Sequence, residues 1–222
     1  MTATEGKNFV SSLHPMLKSG NRLVLQDIMT ALPLFFLGAP VLRMQAEPIS
    51  DPMAPEISTL AASMAATMTA NQGVGLAAPQ VGANQRLIVF YVPESRAEDQ
   101  MALPLQVLIN PEFMPLAETL VEGLEGCLSL PGLRGMVPRW QRIGYRGLGL
   151  DGKLVEREAE GFHARVVQHE IDHLDGVMYP DRMRDFSTLV HECVIRRQLQ
   201  QASEEQHAQK QADENQAEAI GA

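Results

Sequence analysis

Cysteine is scarce in this 222-residue chain: there are two, Cys127 and Cys193. A secreted scaffold stapled by disulfides uses more, so a reducing compartment is expected, where a free thiolate can serve as a metal ligand. Positive charge is also in deficit. Eighteen Lys and Arg face 27 Asp and Glu, for a formal net charge of −9. A face that reads nucleic acid is therefore not the expected main function. No apolar run reaches the length of a membrane span. The nearest, ALPLFFLGAPVL over residues 31–42, is short and carries Pro33 and Pro40. It follows Lys7, Lys18 and Arg22, as a signal-peptide core would, but no clear small-x-small cleavage site comes after it. Long-period internal repeats are absent too. What remains is 45% hydrophobic residues, enough for a real core in one domain with extensions.

Residues 1–33 show no sustained period and read as an N-terminal extension. In EISTLAASMAATMTA (56–70), Ile57, Leu60, Ala61, Met64 and Met68 form one apolar helical stripe, read as core packing. GVGLAAPQVG (73–82) holds three glycines and a proline and reads as a loop, not a helix. RLIVFYV (86–92) and QVLIN (106–110) read as strands. Residues 139–150 and 153–160 flank Asp151-Gly152, a hairpin signal. The middle of the chain is therefore expected to be mostly antiparallel β.

A helix is expected to begin near Gly161 and to end by Gly176 and Pro180. Phe162, Val166, His169 and His173 form one stripe; Ala164, Val167, Ile171, Leu174 and Met178 form a second. Apolar groups on both sides imply a helix buried in the middle of the domain. A further helix is expected over 186–201. Residues 202–222 carry almost no large apolar side chain, so a frayed helix or disorder is the expectation there.

The central helix contains QHEIDHLDG (168–176). Side chains four apart project together, so His169 and His173 can face one ion. Glu170 sits beside them, placed to reach a water without ligating the ion. The competing reading is a pair of hydrogen-bonded core histidines. A catalytic site of this kind needs a third protein ligand. Downstream, His191, Glu192, His207 and the tail carboxylates lie in polar sequence. Upstream, Cys127 in EGCLSLPG (125–132) sits where a strand ends or a loop begins. From the residues alone it could equally be a small buried hydrophobe.

The three stretches GVGLAAPQVG, EGCLSLP and QHEIDHLDG, in that order, resemble the peptide deformylase family. The resemblance runs from about Phe35, through APVLRMQAEPI (39–49), to about Met183. It implies an α+β fold, with antiparallel or mixed β-sheets packed around a buried central metal-binding helix, an N-terminal helix and a C-terminal helix. The catalytic domain is expected over 34–185, followed by a C-terminal helix and polar tail over 186–222. The implied metal ligands are Cys127, His169 and His173, with Glu170 as catalytic base and acid. Gln80 and the backbone N–H of Leu128 are the implied oxyanion donors. The implied cofactor is one divalent ion, ferrous iron foremost, with zinc, nickel or cobalt able to substitute. The implied substrate is a nascent peptide that begins with N-formylmethionine, and the products are formate and a free amino terminus.

An apolar pocket for the methionine side chain is expected from Val74, Phe162 and Val166. Gly75 and Gly126 would let a substrate backbone add as a strand. Glu125 either lines the pocket or closes a loop. Asp172 and Arg139 are expected to pair behind the site. Arg134 is expected to be a solvated charge or to approach the substrate, and Arg165 to pack its stem while its charge reaches water. The formylated substrate implies a bacterial cytoplasm, or an organelle. A monomer is favoured, no membrane association is expected, and the two chain ends are candidates for docking near the ribosome exit. Two other functions compete. A general metallopeptidase would cleave internal amides, and a metal-stabilised binding protein would need a fourth ligand.

Overall fold

The computed structural model describes residues 30–97 and 102–220. Most of the expected N-terminal extension lies outside these residues. Its end is tied down, for the Leu32 N–H donates to Thr67 Oγ1 at 2.7 Å.

Helix α1 spans Pro55–Ala70, with proline in its first turn and Ala54 at its N-cap. Asp51 lies upstream in a separate turn, where its carboxylate accepts from the Met53 N–H. A five-stranded antiparallel sheet follows, in the order β1 (Gly75–Ala77), β2 (Leu87–Val92), β3 (Leu103–Pro115), β6 (Arg142–Leu148), β7 (Leu154–Glu160). A second sheet has the order β4 (Leu120–Cys127), β5 (Leu130–Trp140), β8 (Val190–His191). Helix α2 spans Gly161–Leu174, a short α3 spans Tyr179–Arg182, and α4 spans Glu192–Ile220. The fold is α+β, and every pair of named strands is antiparallel.

The near-continuous apolar run of β2 reflects burial on both faces. Leu87 and Val89 pack in the cluster that holds Met64 and Met68 of α1, both fully buried. Ile88 and Phe90 pack with Ala164, Val167, Ile171 and Leu174 of α2. The first sheet therefore lies between α1 and α2. Each fully buried side chain of this size contributes roughly 1.5–3 kcal/mol. Helix α2 is buried along almost its whole length, as its double stripe predicts. Beyond its end Gly176 has φ of 72°, and a Cβ there would meet the Arg43 backbone at 2.8 Å. Met178, read as part of the second stripe, lies just beyond the helix but is buried in a third cluster with Tyr179 and Leu42.

Two local readings are corrected. Residues 73–82 are not all loop. They contain β1 and a 3-10 turn over Ala78–Val81, because Ala77 N–H finds the Gln80 side-chain oxygen at 2.8 Å. The C-terminal helix begins at Glu192 rather than 186. Residues 186–188 form a 3-10 turn, closed by Asp185 accepting from the Ser187 N–H, and β8 pairs with β5 before the helix starts. Helix α4 then runs to Ile220, through the segment where fraying or disorder was expected. Gln, Glu and Ala are good helix formers, and Glu192 pairs with Arg196 one turn on.

His163 on α2 packs against the Phe90 and Tyr145 rings, and its Nε2 lies 3.2 Å from the Tyr145 hydroxyl. Burial, aided by the charge of Arg157, lowers its pKa to about 4. The fold therefore holds the neutral ring, and the unfolded chain takes up the proton first. The stability this gives is complete above about pH 6.5 and is lost as pH falls towards 4. His163→Leu lacks the protonation site. The stability difference between wild type and this variant, from urea titrations, should shift by about 2 kcal/mol between pH 7 and pH 5. A constant difference contradicts this.

Candidate metal centre

Two elements meet at the site. Strand β4 delivers Cys127 at its last position, and a two-residue turn, Leu128-Ser129, leads into β5. The β4–β5 register shifts between Gly126 and Cys127, where Gly126 faces Arg134 but Cys127 faces Leu130. A break of this kind re-aims a side chain. Helix α2 delivers His169 and His173 one turn apart, with ring centroids 5.0 Å from each other. Cys127 Sγ lies 3.2 Å from His173 Nε2. One ligand atom from each of the three residues falls within 4.8 Å of the others. The implied ligands thus converge, and His191, on β8, is instead engaged with Cys193.

The sulfur is ringed by donors. Gln80 Nε2 lies 3.3 Å from it and the Ser129 N–H 3.4 Å. The Gln80 amide is fixed from both ends, its oxygen by Ala77 N–H and its nitrogen also by Ser129 Oγ at 3.2 Å.

Glu125 sits at the centre of a buried polar network. It is 5% exposed, and both its oxygens are occupied. Oε1 accepts from Arg139 Nε and Arg165 Nη1, each at 2.9 Å. Oε2 accepts from Arg139 Nη2 at 3.0 Å and lies 2.8 Å from His169 Nδ1. Its carboxylate is turned towards these three partners. It orients His169, leaving Nε2 as the nitrogen free to ligate, the usual carboxylate support of a ligating histidine. Burial alone would raise the Glu125 pKa, but hydrogen bonds from His169 and Arg139 and their charges hold it well below the carboxylate range. Arg139 also pairs with Asp172 behind the site, as expected, and Arg182 pairs with the same aspartate. The Arg165 charge is mostly turned inward. It is held by Glu125 and by backbone carbonyls of β4 and β5. Arg134 pairs with Glu192 at 3.5 Å while its side chain stays 43% exposed.

Glu170 is 4% exposed, and its Oε2 has no hydrogen-bond partner among the described residues. Burial pushes its pKa up to about 7, where a carboxyl group exchanges protons readily at neutral pH. Its Oε1 sits where a Cβ on Gly75 would come within 2.2 Å. Val74, Phe162 and Val166 share one apolar cluster, with Arg96 stacked 5.2 Å over the Phe162 ring. β1, carrying Gly75, and β4, carrying Gly126, are each the edge of a sheet.

These donors fit a divalent cation. A half-buried thiol and two buried imidazoles converge in a triangle, and an unpartnered carboxylate oxygen stands beside it. At His169, burial opposes protonation, but Cys127 and Glu125 more than reverse this and raise its proton affinity. At His173, burial and the neighbouring charges of His169 and Arg139 act the other way and hold the ring neutral, the form in which an imidazole ligates a metal. Three candidate ligands and a neighbouring carboxylate fit one class: a metal-dependent hydrolase centre on an H-E-x-x-H helix.

Comparison with known proteins narrows the class. The polypeptide deformylase family profile matches residues 31–188, and the chain belongs to that family. It is 46% identical over 156 residues to peptide deformylase 2 of Ralstonia nicotianae, a match that covers 70% of this chain and 88% of that protein. It is 53% identical over 133 residues to peptide deformylase 2 of Pseudomonas syringae pv. tomato, covering 60% and 74%. The class I type b peptide deformylase of Acinetobacter baumannii, solved with Met-Ala-Ser bound, superposes with a TM-score of 0.65 at 37% identity. That match covers 70% of this chain and 99% of that one.

The contact between Gly75 and Glu170 gives a test. Gly75→Ala should displace the carboxylate and lower kcat by about 10²-fold or more, the usual scale of general acid–base catalysis. Metal content should stay at one ion per chain. Unchanged kcat, or loss of the ion, is the contrary result.

Proposed function

We infer that the chain is a metal-dependent hydrolase that removes the formyl group from N-formylmethionine at the start of nascent polypeptides, releasing formate. The observation that carries this is the Cys127–His169–His173 triangle beside the unpartnered Glu170 Oε2, in a chain of the deformylase family. The three residues would hold one divalent ion. Ferrous iron is the ion we assign, with zinc, nickel or cobalt as substitutes; a thiolate and two imidazoles suit each of them. Such an ion supplies Lewis acidity and lowers the pKa of water, from 15.7 to about 7 in favourable zinc sites.

The chain's own groups do the rest. Glu170 takes a proton from the attacking water and returns it to the departing amine. The atoms balance, since water and a formamide give formate and an amine. As charge grows on the formyl oxygen, Gln80 Nε2 and the Leu128 N–H donate to it. Loss of one such donor typically costs ~10²–10³ in rate. The methionine side chain enters the apolar cluster of Val74, Phe162 and Val166. The peptide backbone adds as a strand at Gly75 and Gly126 of the two edge strands, neither of which carries a side chain of its own. In support, the A. baumannii neighbour binds Met-Ala-Ser, a peptide with an amino-terminal methionine. No described helix is long and apolar enough to cross a membrane. We place the enzyme in the bacterial cytoplasm, where formylated peptides arise, and take residues 34–185 as its catalytic domain. The chain ends remain the candidates for contact near the ribosome exit.

Anaerobically purified protein should release formate from formyl-Met-Ala and leave unformylated Ala-Met intact. Glu170→Ala should keep its ion and lose turnover by about 10²–10⁴-fold. Cleavage of the unformylated peptide would point to a general peptidase, and full turnover by metal-loaded Glu170→Ala would remove the assigned base.

A further inference from the structure

We propose that Arg165 is a positioning residue that braces the thiolate strand against the imidazole helix; this rests on the reading of Cys127, His169 and His173 as a metal site. Arg165 and His169 stand four apart on α2, so their side chains leave the helix side by side. Both reach the same carboxylate, Arg165 at Glu125 Oε1 and His169 at Oε2. The same guanidinium then continues outward. Nη1 donates to Val137 O at 2.7 Å and Gly123 O at 3.4 Å, and Nη2 donates to Val121 O at 2.7 Å. One side chain of α2 thus grips two carbonyls of β4, one of β5 and the carboxylate that orients a ligand.

The consequence for the site is geometric. Cys127 ends β4, and β4 has a strand neighbour on one side alone, β5. The triangle closes only if β4 keeps its distance from α2. Arg139 secures Glu125 from β5, and Arg165 secures it from the helix. The Arg165 side chain is 14% exposed, and its Nη1 bonds to Glu125, Val137 and Gly123 are partly buried. A planar fork with five donors can serve these acceptors together, whereas an ammonium group cannot.

Gly123 completes the arrangement. A Cβ at this position would fall 2.6 Å from Arg165 Cζ and Nη2. Its φ is not in the left-handed region, so the need for glycine is one of space. The position therefore offers a second handle on the brace that leaves Arg165 itself unaltered.

The test uses Co²⁺ alone as the probe, with chelator competition for affinity and the thiolate-to-cobalt absorption as the report on Cys127. Arg165→Met should raise the Co²⁺ dissociation constant about 10–100-fold, the range for loss of a group that supports a ligand, and should weaken or shift the thiolate band. Arg165→Lys should fall between wild type and Arg165→Met. Gly123→Val should move both readouts in the same direction. Met64→Ala, a core variant on α1, controls for general loss of stability and should leave the band in place. Unchanged Co²⁺ affinity and absorption in folded Arg165→Met would overturn the brace, as would a change no larger than that of Met64→Ala. Where Arg165→Met fails to fold, Gly123→Val decides by the same two readouts. A wild type that shows no thiolate–cobalt band would instead sink the metal-site reading itself. None of these measurements requires turnover, so the brace and the site fail separately.

Discussion

Everything in this structure depends on bringing one sulfur to two imidazoles. Cys127 and His173 are 46 residues apart in the chain, and the Cys127 sulfur lies 3.2 Å from His173 Nε2 in space. No local rule of chain geometry produces that distance. It follows from burying α2 against the first sheet and hanging the β4–β5 hairpin beside it. The sandwich of α1, sheet and α2 fixes the two histidines, because Ile171 and Leu174, which flank His173, are core residues. The hairpin fixes the sulfur, because its register breaks next to Cys127.

The joint between these halves is electrostatic. Glu125 and Asp172 are buried carboxylates held by Arg139, with Arg165 and Arg182 adding to them. Burying so many charges costs desolvation, and such networks are weak evidence for stability. Their value here is in direction. An arginine fork fixes the plane of a carboxylate, and the Glu125 carboxylate fixes the plane of His169. Removing one partner leaves an uncompensated charge and costs about 3–5 kcal/mol, so the network resists local loosening next to the ligands.

The helical half of the site was legible in the sequence because its signal is local. His169, Glu170 and His173 sit at spacings that a helix converts directly into geometry, and the double apolar stripe announced a buried helix. The strand pair β2–β3 and the hairpin around Asp151-Gly152 were legible for the same reason. Cys127 was ambiguous from the residues alone, since a thiol at a strand end looks the same as ligand or as filler; family resemblance supplied what spacing could not. The partners of Glu125 and Arg165 were not legible. Nothing near either residue in the sequence says that they meet each other, Arg139 and His169 across β4, β5 and α2. Ion-pair networks of this type are tertiary facts. The tail was left between a frayed helix and disorder, and α4 runs through it, because a polar segment that buries little can still be helical when its residues favour the helix.

The central claim is that one sulfur and two imidazole nitrogens share a single cation. X-ray absorption at the metal edge of the anaerobically purified protein measures this directly. The account predicts one sulfur scatterer at about 2.3 Å and two imidazole nitrogens at about 2.0–2.1 Å, the distances found at zinc, with the sulfur shell missing in Cys127→Ala. A bound ion with only nitrogen and oxygen neighbours in the wild-type protein would contradict it.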